Sequence, residues 1–533
     1  MLKLKNLKNR NKSIWKVLLA GITSLALIST STYSYSSVIN RDRGNSDIST
    51  NQGNGNPQND KNNDKPNQDR GKSDEIHGKG SLGKGAGNKG DVNFHKSIAL
   101  NLLLNVKPTK LVQGQLAKFG NITSVIEEIN AVTIRTKFGL IPELLKLGIV
   151  QSYNEDAERL IEPPFQQSEL GTTSFSGAFG SWNLDMINVT EGTGVSTTRV
   201  VSQTGSGTYV AVLDTGLLKN WRAYFDESSI ATQYAIAFGG GGGEQGTVST
   251  QPNKWERDQD SHGTHVTSTI LGFNQPTRTI TGVSPDAKVI PVKVLGQSGS
   301  GWSSVVAAGI VYVAELKRGP LANSPVVINM SLGGSVLDVV EKAAIDYATA
   351  SGVIVVASAG NSGTRGMGYP GAYPPVISVA ASGWTNEWAS VTSPGSWWRS
   401  LDVAENGTSD SYITSFSSRQ LAGQQLDVAA PGSWIVGPYQ TNGQYGWYFL
   451  GGTSMASPHV AGLVALMMQK NKTMTQATVE SKLKSSATAF ATSSAMIRPY
   501  TGFALTEITW GIDSTGSGLV NAVTALASVT AAP

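Results

Sequence analysis

The chain has 533 residues, 60 of them Gly, with no Cys and a net charge of +4. Without cysteine it can form no disulfide, thiolate nucleophile or zinc–thiolate centre, and a chain this long buries a core without such staples. Its charge is too mild, and too concentrated in the first 90 residues, to argue for a nucleic-acid partner.

Lys3, Lys5, Lys8, Arg10, Lys12 and Lys16 precede an apolar run from Val17 to Ile28, which is too short to prefer spanning a bilayer. Small residues follow from Ser29 to Ser37. Residues 1–37 are therefore expected to be a signal peptide, so the remainder is secreted to the extracellular side; left uncut, the same segment would be an N-terminal membrane anchor. Residues 38–92 are rich in Asn, Gly, Asp, Lys and Ser, and are expected to be a disordered linker, because they carry too little apolar surface to offset ordering entropy.

Order is expected from residue 93. Ser97–Val106 reads as a strand, Leu111–Phe119, Val125–Ile134 and Ile141–Leu147 as short helices and strands, and Val150–Tyr153 as a last strand. This is a small α+β unit, expected to close by about residue 168. It runs into Ile161-Glu-Pro-Pro-Phe165 and a polar stretch to Gly180, which reads as a protease-sensitive linker.

From Trp182 the pattern changes. Tyr209–Leu213, Val289–Leu295, Val326–Met330, Val353–Ala357, Val376–Ala380 and Leu426–Ala429 are Val/Ile-rich runs, separated by helical segments at Ser303–Lys317, Val336–Ala350 and after Ser454. Near-continuous apolar strands alternating with helices predict an α/β fold whose mostly parallel sheet is covered on both faces. Functional groups then gather at the C-terminal ends of the strands.

Several chemistry-bearing residues fall at those ends. Asp214 closes the first strand in Asp214-Thr-Gly216; alone, this is as often an Asx-turn. His262 and His265 sit in His262-Gly-Thr-His265, a weak metal pair without a third ligand, and no His-Glu-x-x-His run exists. Asn329 and Ser331 close one strand, and Asn361 follows another. In Gly451-Gly-Thr-Ser454-Met-Ala-Ser-Pro-His-Val-Ala-Gly462, the glycines deliver Ser454 to the start of an apolar helix. There, unpaired N–H groups favour developing negative charge. The chain order Asp, His, Ser, with an Asn before the Ser, is that of one known triad type.

With these motifs in hand, residues 182–533 resemble the subtilisin-like serine proteases, the subtilase family. The resemblance is carried by Val210–Gly216, His262–Val266, Gly282-Val-Ser-Pro285, Val292-Lys-Val-Leu295, Asn329-Met-Ser-Leu-Gly-Gly334, Ala359-Gly-Asn361, Tyr369-Pro-Gly371 and Gly452–Gly462. It implies a three-layer α/β peptidase domain over residues 169–533, preceded by a small α+β inhibitory propeptide at 93–168. It further implies a secreted serine endopeptidase made as a self-processed zymogen, with Ser454 as nucleophile, His262 as base, Asp214 as its orienting acid and Asn361 as oxyanion donor. His265 and His459 would be structural. Ser331, Leu332, Gly333 and Gly334 would form a substrate edge, with Ser358, Ala359, Gly360 and Gly368 around the side chain before the cut. No Asp or Glu lies in those windows, which favours a broad or apolar preference. The partners implied are polypeptide substrates and the chain's own propeptide, on a monomer. The chemistry requires no cofactor; a structural calcium ion is implied near Phe273–Thr281, a loop without a carboxylate, so no metal ligands are assigned. The alternative is a non-catalytic binding protein that keeps the fold. An α/β-hydrolase esterase would need Gly-x-Ser-x-Gly and the order Ser, Asp, His, and neither is present.

Three departures stand out. Thr267-Ser268 replaces the family's usual Ala-Gly behind His262. Gly239–Gly243 is a five-glycine run, expected to be a flexible loop. Extra sequence between Val379 and Ser415 carries Trp384, Trp388, Trp397 and Trp398, expected either to hold a long loop together or to form an exosite.

Overall fold

The computed structural model describes residues 94–161, 166–169, 182–192, 197–239, 245–276, 278–384, 411–441, 443–497 and 504–531. The expected signal peptide and linker, most of the five-glycine run, and Trp388, Trp397 and Trp398 lie outside them. Among the described residues no helix is long and apolar enough to cross a membrane.

The first unit is a four-stranded antiparallel sheet in the order Gly120–Ile126, Ala131–Lys137, Ser97–Leu104, Val150–Glu155. One face carries Ile98, Leu100, Leu102, Leu104, Val132 and Ile134, covered by Leu116 and Leu144 from the helices Lys110–Leu116 and Ile141–Leu145. The other side meets the second unit through the apolar Ile126, Ile129 and Ala131 and through a polar cluster around Asn101. Asn101, fully buried, donates there to Asp156 (2.9 Å) and to Asp338 (2.8 Å). The chain then leaves the sheet as a further strand, Glu158–Leu160, which the sequence does not announce.

In the second unit a mostly parallel sheet runs in the order Val248–Gln251, Ile236–Gly239, Lys288–Lys293, Tyr209–Asp214, Val326–Met330, Val353–Ser358, Ile377–Trp384, Ser411–Ile413, with Val428–Pro431 also paired to Ile377–Trp384. The pairs at either edge, Val248–Gln251 and Ser411–Ile413, are antiparallel. Both faces are buried, as the Val/Ile runs require. Val210 and Val212 pack with the helices His262–Leu271 and Thr453–Lys470, whereas Ala211 and Leu213 pack with Ser303–Arg318 and Val339–Ala350. Successive residues thus serve opposite layers, and each fully buried Val or Leu contributes roughly 1.5–3 kcal/mol.

The central strand Tyr209–Asp214 has Lys288–Lys293 on one side and Val326–Met330 on the other. The chain builds one half of the sheet, then crosses to the other at this strand. The crevice at that switch, beyond the strand C-termini, is where such folds place their chemistry.

The helix expected from Val336 begins at Val339, because Asp338 caps it by accepting from the N–H groups of Val340 (2.8 Å) and Glu341 (3.1 Å). A hairpin, Ile435–Thr441 with Gln444–Gly451, leads into Ser454 and was not legible in the sequence, since Gly437, Pro438 and Gly446 interrupt its pattern. At the Thr267-Ser268 departure, both hydroxyls return to helix carbonyls, those of Gly263 (2.8 Å) and His265 (2.6 Å), and the hairpin meets Ser268 at Gly437, where a Cβ would lie 2.5 Å from the Ser268 Oγ. Trp384 ends its strand packed against the core.

Candidate active site

Asp214 ends the central strand with no exposed surface. Its Oδ1 accepts from the Thr215 N–H (2.7 Å) and lies 2.9 Å from His262 Nδ1; its Oδ2 lies 3.0 Å from the same nitrogen. The Gly263 N–H donates to Thr215 Oγ1 (2.9 Å), which ties the start of the His262 helix to the strand end. His262 is the first residue of that helix. Its Nε2 is buried and makes no hydrogen bond among the described residues.

The residue before it, Ser261, is left-handed at φ 80°. A side chain rarely adopts this conformation unless its surroundings impose it. Asp258 does so here, accepting from the N–H groups of Asp260 (3.1 Å) and Ser261 (2.7 Å) and from the Thr264 hydroxyl (3.1 Å). Burial pushes the Asp258 carboxyl up to about 6, opposed by Lys293 and the Ser261 N–H bond. The Lys293 ammonium donates to the Thr215 carbonyl, closing the base of the site. Burial by itself would push the His262 imidazole down, but the charge and hydrogen bonds of Asp214, then Asp260 and Asp258, leave it above its ordinary value.

Ser454 lies in the first turn of Thr453–Lys470, whose N-cap, Gly452, offers no side chain. The Ser454 Oγ is 3.3 Å from the Ser331 carbonyl, and the Ser331 hydroxyl donates to the Ser454 carbonyl (2.8 Å). Ser457 donates to Asn329 Oδ1 (2.7 Å), and Asn329 Nδ2 donates to Ser331 Oγ (3.0 Å), so two strand-end polar residues clamp the helix start. Asn361 is oriented by its carbonyl oxygen, which accepts from the Thr453 N–H (2.8 Å) and hydroxyl (2.9 Å). A Cβ on Gly452 would lie 3.2 Å from Asn361 Nδ2 and 3.7 Å from the Ser454 nitrogen. Glycine there keeps open a point that two donors flank.

The residues expected to handle substrate divide. Gly333 and Gly334 form an edge: Gly333 exchanges two hydrogen bonds with Leu160 (2.9 Å each), and Gly334 pairs with Tyr369. Leu332 instead turns into the core. Gly368 closes on the strand end after Ser358 by donating to the Ala359 carbonyl (2.9 Å) and faces Gly334, while Gly360 donates to Thr453 Oγ1 (3.1 Å).

His265 bonds the Ile435 carbonyl through Nε2 (3.0 Å). His459 donates from Nδ1 to Met455 O (2.8 Å) and accepts at Nε2 from Asn183 (2.7 Å). Burial pushes these imidazoles down to about 3 and about 4, so both stay neutral and act as packing hydrogen-bonders. The Phe273–Thr281 loop is a two-stranded hairpin in which the Asn274 side-chain oxygen is taken by Thr279 (2.7 Å). It offers no carboxylate, and among the described residues no three His, Asp or Glu side chains converge as a metal site. The Asn274 amide donates to Asp226 (3.3 Å), which brings one carboxylate from outside the loop to its edge.

Sequence reasoning missed Asp258, Lys293 and the role of Asp260. Two carboxylates within four residues before His262 were the available signal.

The model of the subtilase family matches residues 205–503, more than half of the chain. Subtilisin amylosacchariticus of Bacillus subtilis subsp. amylosacchariticus is 36% identical over 289 residues, 54% of this chain and 61% of that protein. The subtilisin of Bacillus pumilus is also 36% identical over 289 residues, 54% of this chain and 85% of the relative. The chain thus spans less than two thirds of the first of these and most of the second. Among solved structures, fervidolysin from Fervidobacterium pennivorans superposes with a TM-score of 0.56 at 23% identity, covering 83% of this chain and 62% of that one, which speaks to the fold alone. With a family match over more than half its length, the chain belongs to the subtilase family.

Proposed function

We propose that the chain is a secreted serine endopeptidase, made as a zymogen that processes itself. One observation carries the proposal. A buried imidazole is bound through Nδ1 to both oxygens of a buried carboxylate, with Nε2 left without a hydrogen-bond partner among the described residues, and Ser331, just past the end of the neighbouring strand, holds Ser454. An imidazole so held has its proton on Nδ1 and a lone pair on Nε2, the tautomer a general base needs. Ser454 Oγ attacks the substrate carbonyl, and His262 takes the Ser proton and returns it to the leaving amine. Asp214 stabilises the imidazolium that forms between the two transfers. The oxyanion falls at the point above Gly452, between Asn361 Nδ2 and the Ser454 N–H. Water then cleaves the acyl-enzyme by the same steps in reverse. This chemistry uses no metal ion.

The α+β unit is read as the inhibitory propeptide. Leu160 lies in the groove as an added strand, paired with Gly333 on one side and with Ser300 on the other. The Ile161 N–H donates to the Gly299 carbonyl (2.8 Å), and Gln166 pairs with Gly451. Asp156 supports the same reading: it takes the N–H and hydroxyl of Ser304 (2.9 and 2.8 Å) at the start of the Ser303–Arg318 helix, an end that favours an anion. The self-cut is placed between about Phe165 and Gly180. For the side chain before the cut, Ser358, Ala359, Gly360 and Gly368 carry no charge, which suits broad or apolar residues.

Labelling of the secreted protein with a fluorophosphonate tests the activity. Ser454 should be the modified residue, and mature protein without a label at Ser454 would dismiss the enzyme. Two further outcomes are expected. Asn361→Leu removes one oxyanion donor, and kcat should fall by about 10²–10³, a size carried over from subtilisin itself; an unchanged kcat would remove Asn361 from the site. Asp260→Asn removes a negative charge that helps raise His262. The base works only when neutral, so activity is lost as pH falls through the imidazole pKa. The acid limb of kcat/KM should therefore move to lower pH in this variant, and a limb that stays put or moves up would contradict the assigned electrostatics.

A further inference from the structure

We infer that the substrate groove holds an acidic subsite, floored by Glu341, that selects arginine three residues ahead of the substrate residue facing Ser331; this rests on the endopeptidase reading. The register comes from the strand already in the groove. Leu160 is opposite Gly333, and antiparallel pairing steps back by two as the groove strand steps forward by two. An extended substrate in this register therefore sets the residue two beyond the Leu160 position against Ser331, whose carbonyl is 3.3 Å from Ser454 Oγ. The Arg159 position is three residues ahead of that one.

Arg159 does not point to solvent from its strand. Its neighbours Glu158 and Leu160 are exposed, whereas Arg159 has no exposed surface, and neither does the Glu341 side chain it meets. Arg159 Nε lies 3.0 and 3.1 Å from the two Glu341 oxygens, and Nη2 bonds one of them as well. The remaining donors reach the Val336 carbonyl from Nη2 and the Glu158 carbonyl from Nη1 (2.9 Å each). A Cβ on Gly334 would lie 2.6 Å from Nη1, so the glycine of the substrate edge also shapes this slot. A planar fork gripped by the Glu341 carboxylate and the Val336 carbonyl, with a carbonyl of its own strand completing the set, is a fit to guanidinium that neither lysine nor an apolar side chain reproduces.

Glu341 belongs to the peptidase unit, on the Val339–Ala350 helix, and Arg159 to the strand that must leave before a substrate enters. Once that strand departs, the slot keeps its carboxylate and loses its cation. Asp338 adds a second negative charge close by. An apolar side chain entering the slot would desolvate Glu341 without pairing it, which is costly, whereas an arginine restores the pair. This selectivity is separate from the uncharged slot beside the cut.

The test uses the secreted, processed enzyme and fluorogenic peptides identical except at this position, which carries Arg, its neutral isostere citrulline, or Leu. The Arg peptide should be cut with kcat/KM at least about tenfold above the other two. In Glu341→Gln, which keeps shape and removes charge, the Arg-to-citrulline ratio should collapse towards one. Equal cleavage of Arg and citrulline peptides by the parent enzyme, or a ratio that survives Glu341→Gln, would overturn the inference. The parent comparison stands even if the variant fails to fold. Failure to cut any peptide would count against the endopeptidase reading instead. Binding of the same peptides, read by fluorescence polarisation, then decides the arginine preference without turnover.

Discussion

Replacing Ser454 by Ala is expected to lower kcat by about 10⁶, the loss found when the nucleophile of subtilisin is removed. It should also leave the secreted chain uncut between Phe165 and Gly180. The substitution is mild for the fold. Ser454 is not the N-cap of its helix, its hydroxyl makes only a long contact among the described residues, to the Ser331 carbonyl (3.3 Å), and alanine suits a first helical turn. Thermal unfolding should therefore change little, which separates a lost nucleophile from a lost structure. Two measurements check this: turnover of a small peptide substrate, and N-terminal sequencing of the secreted product beside that of the parent. If parent and variant are processed at the same bond, another protease makes the cut and the zymogen is not self-processing. If the variant keeps more than a trace of turnover, Ser454 is not the nucleophile.

How far the sequence led depended on the kind of interaction that fixes each element. The central strands were legible because a sheet buried on both faces needs unbroken Val/Ile runs, and Val326–Met330 was read to the residue. Asp214, His262, Asn361 and Ser454 were legible because each stands at or just after a strand end or at a helix start, inside a motif. Elements held by distant partners were not. Glu158–Leu160 has two charged residues out of three and reads as an exposed loop; it is a strand because the groove supplies its hydrogen bonds. Arg159 reads as a surface residue and is buried because Glu341, 182 positions away, meets it. Asp258 looks like one more loop carboxylate until the left-handed Ser261 shows what it holds in place.

The Asp214→Asn variant is expected to keep its fold and lose about 10⁴ in kcat, a size drawn from measured triads, subtilisin among them. The geometry says why so small a change is so damaging. Asp214 Oδ1 accepts from the Thr215 N–H and from His262 Nδ1, while Oδ2 faces only the imidazole among its described partners. In the amide, the oxygen must stay with the Thr215 N–H, because an NH2 group there would oppose another donor. The NH2 group is then aimed at Nδ1, which must become an acceptor, and the ring proton moves to Nε2. An imidazole with its proton on Nε2 cannot take one from Ser454. The ring is buried, so water does not offer Nδ1 another partner. The residual rate should rise with hydroxide concentration instead of levelling off above the imidazole pKa, because the internal base is gone. A pH profile of kcat/KM, taken together with the unfolding temperature, tests the account. A variant that keeps the parent's plateau would show that Asp214 merely packs, and one that loses its unfolding transition would trace the damage to the buried charge cluster with Lys293 and Asp258 rather than to the tautomer.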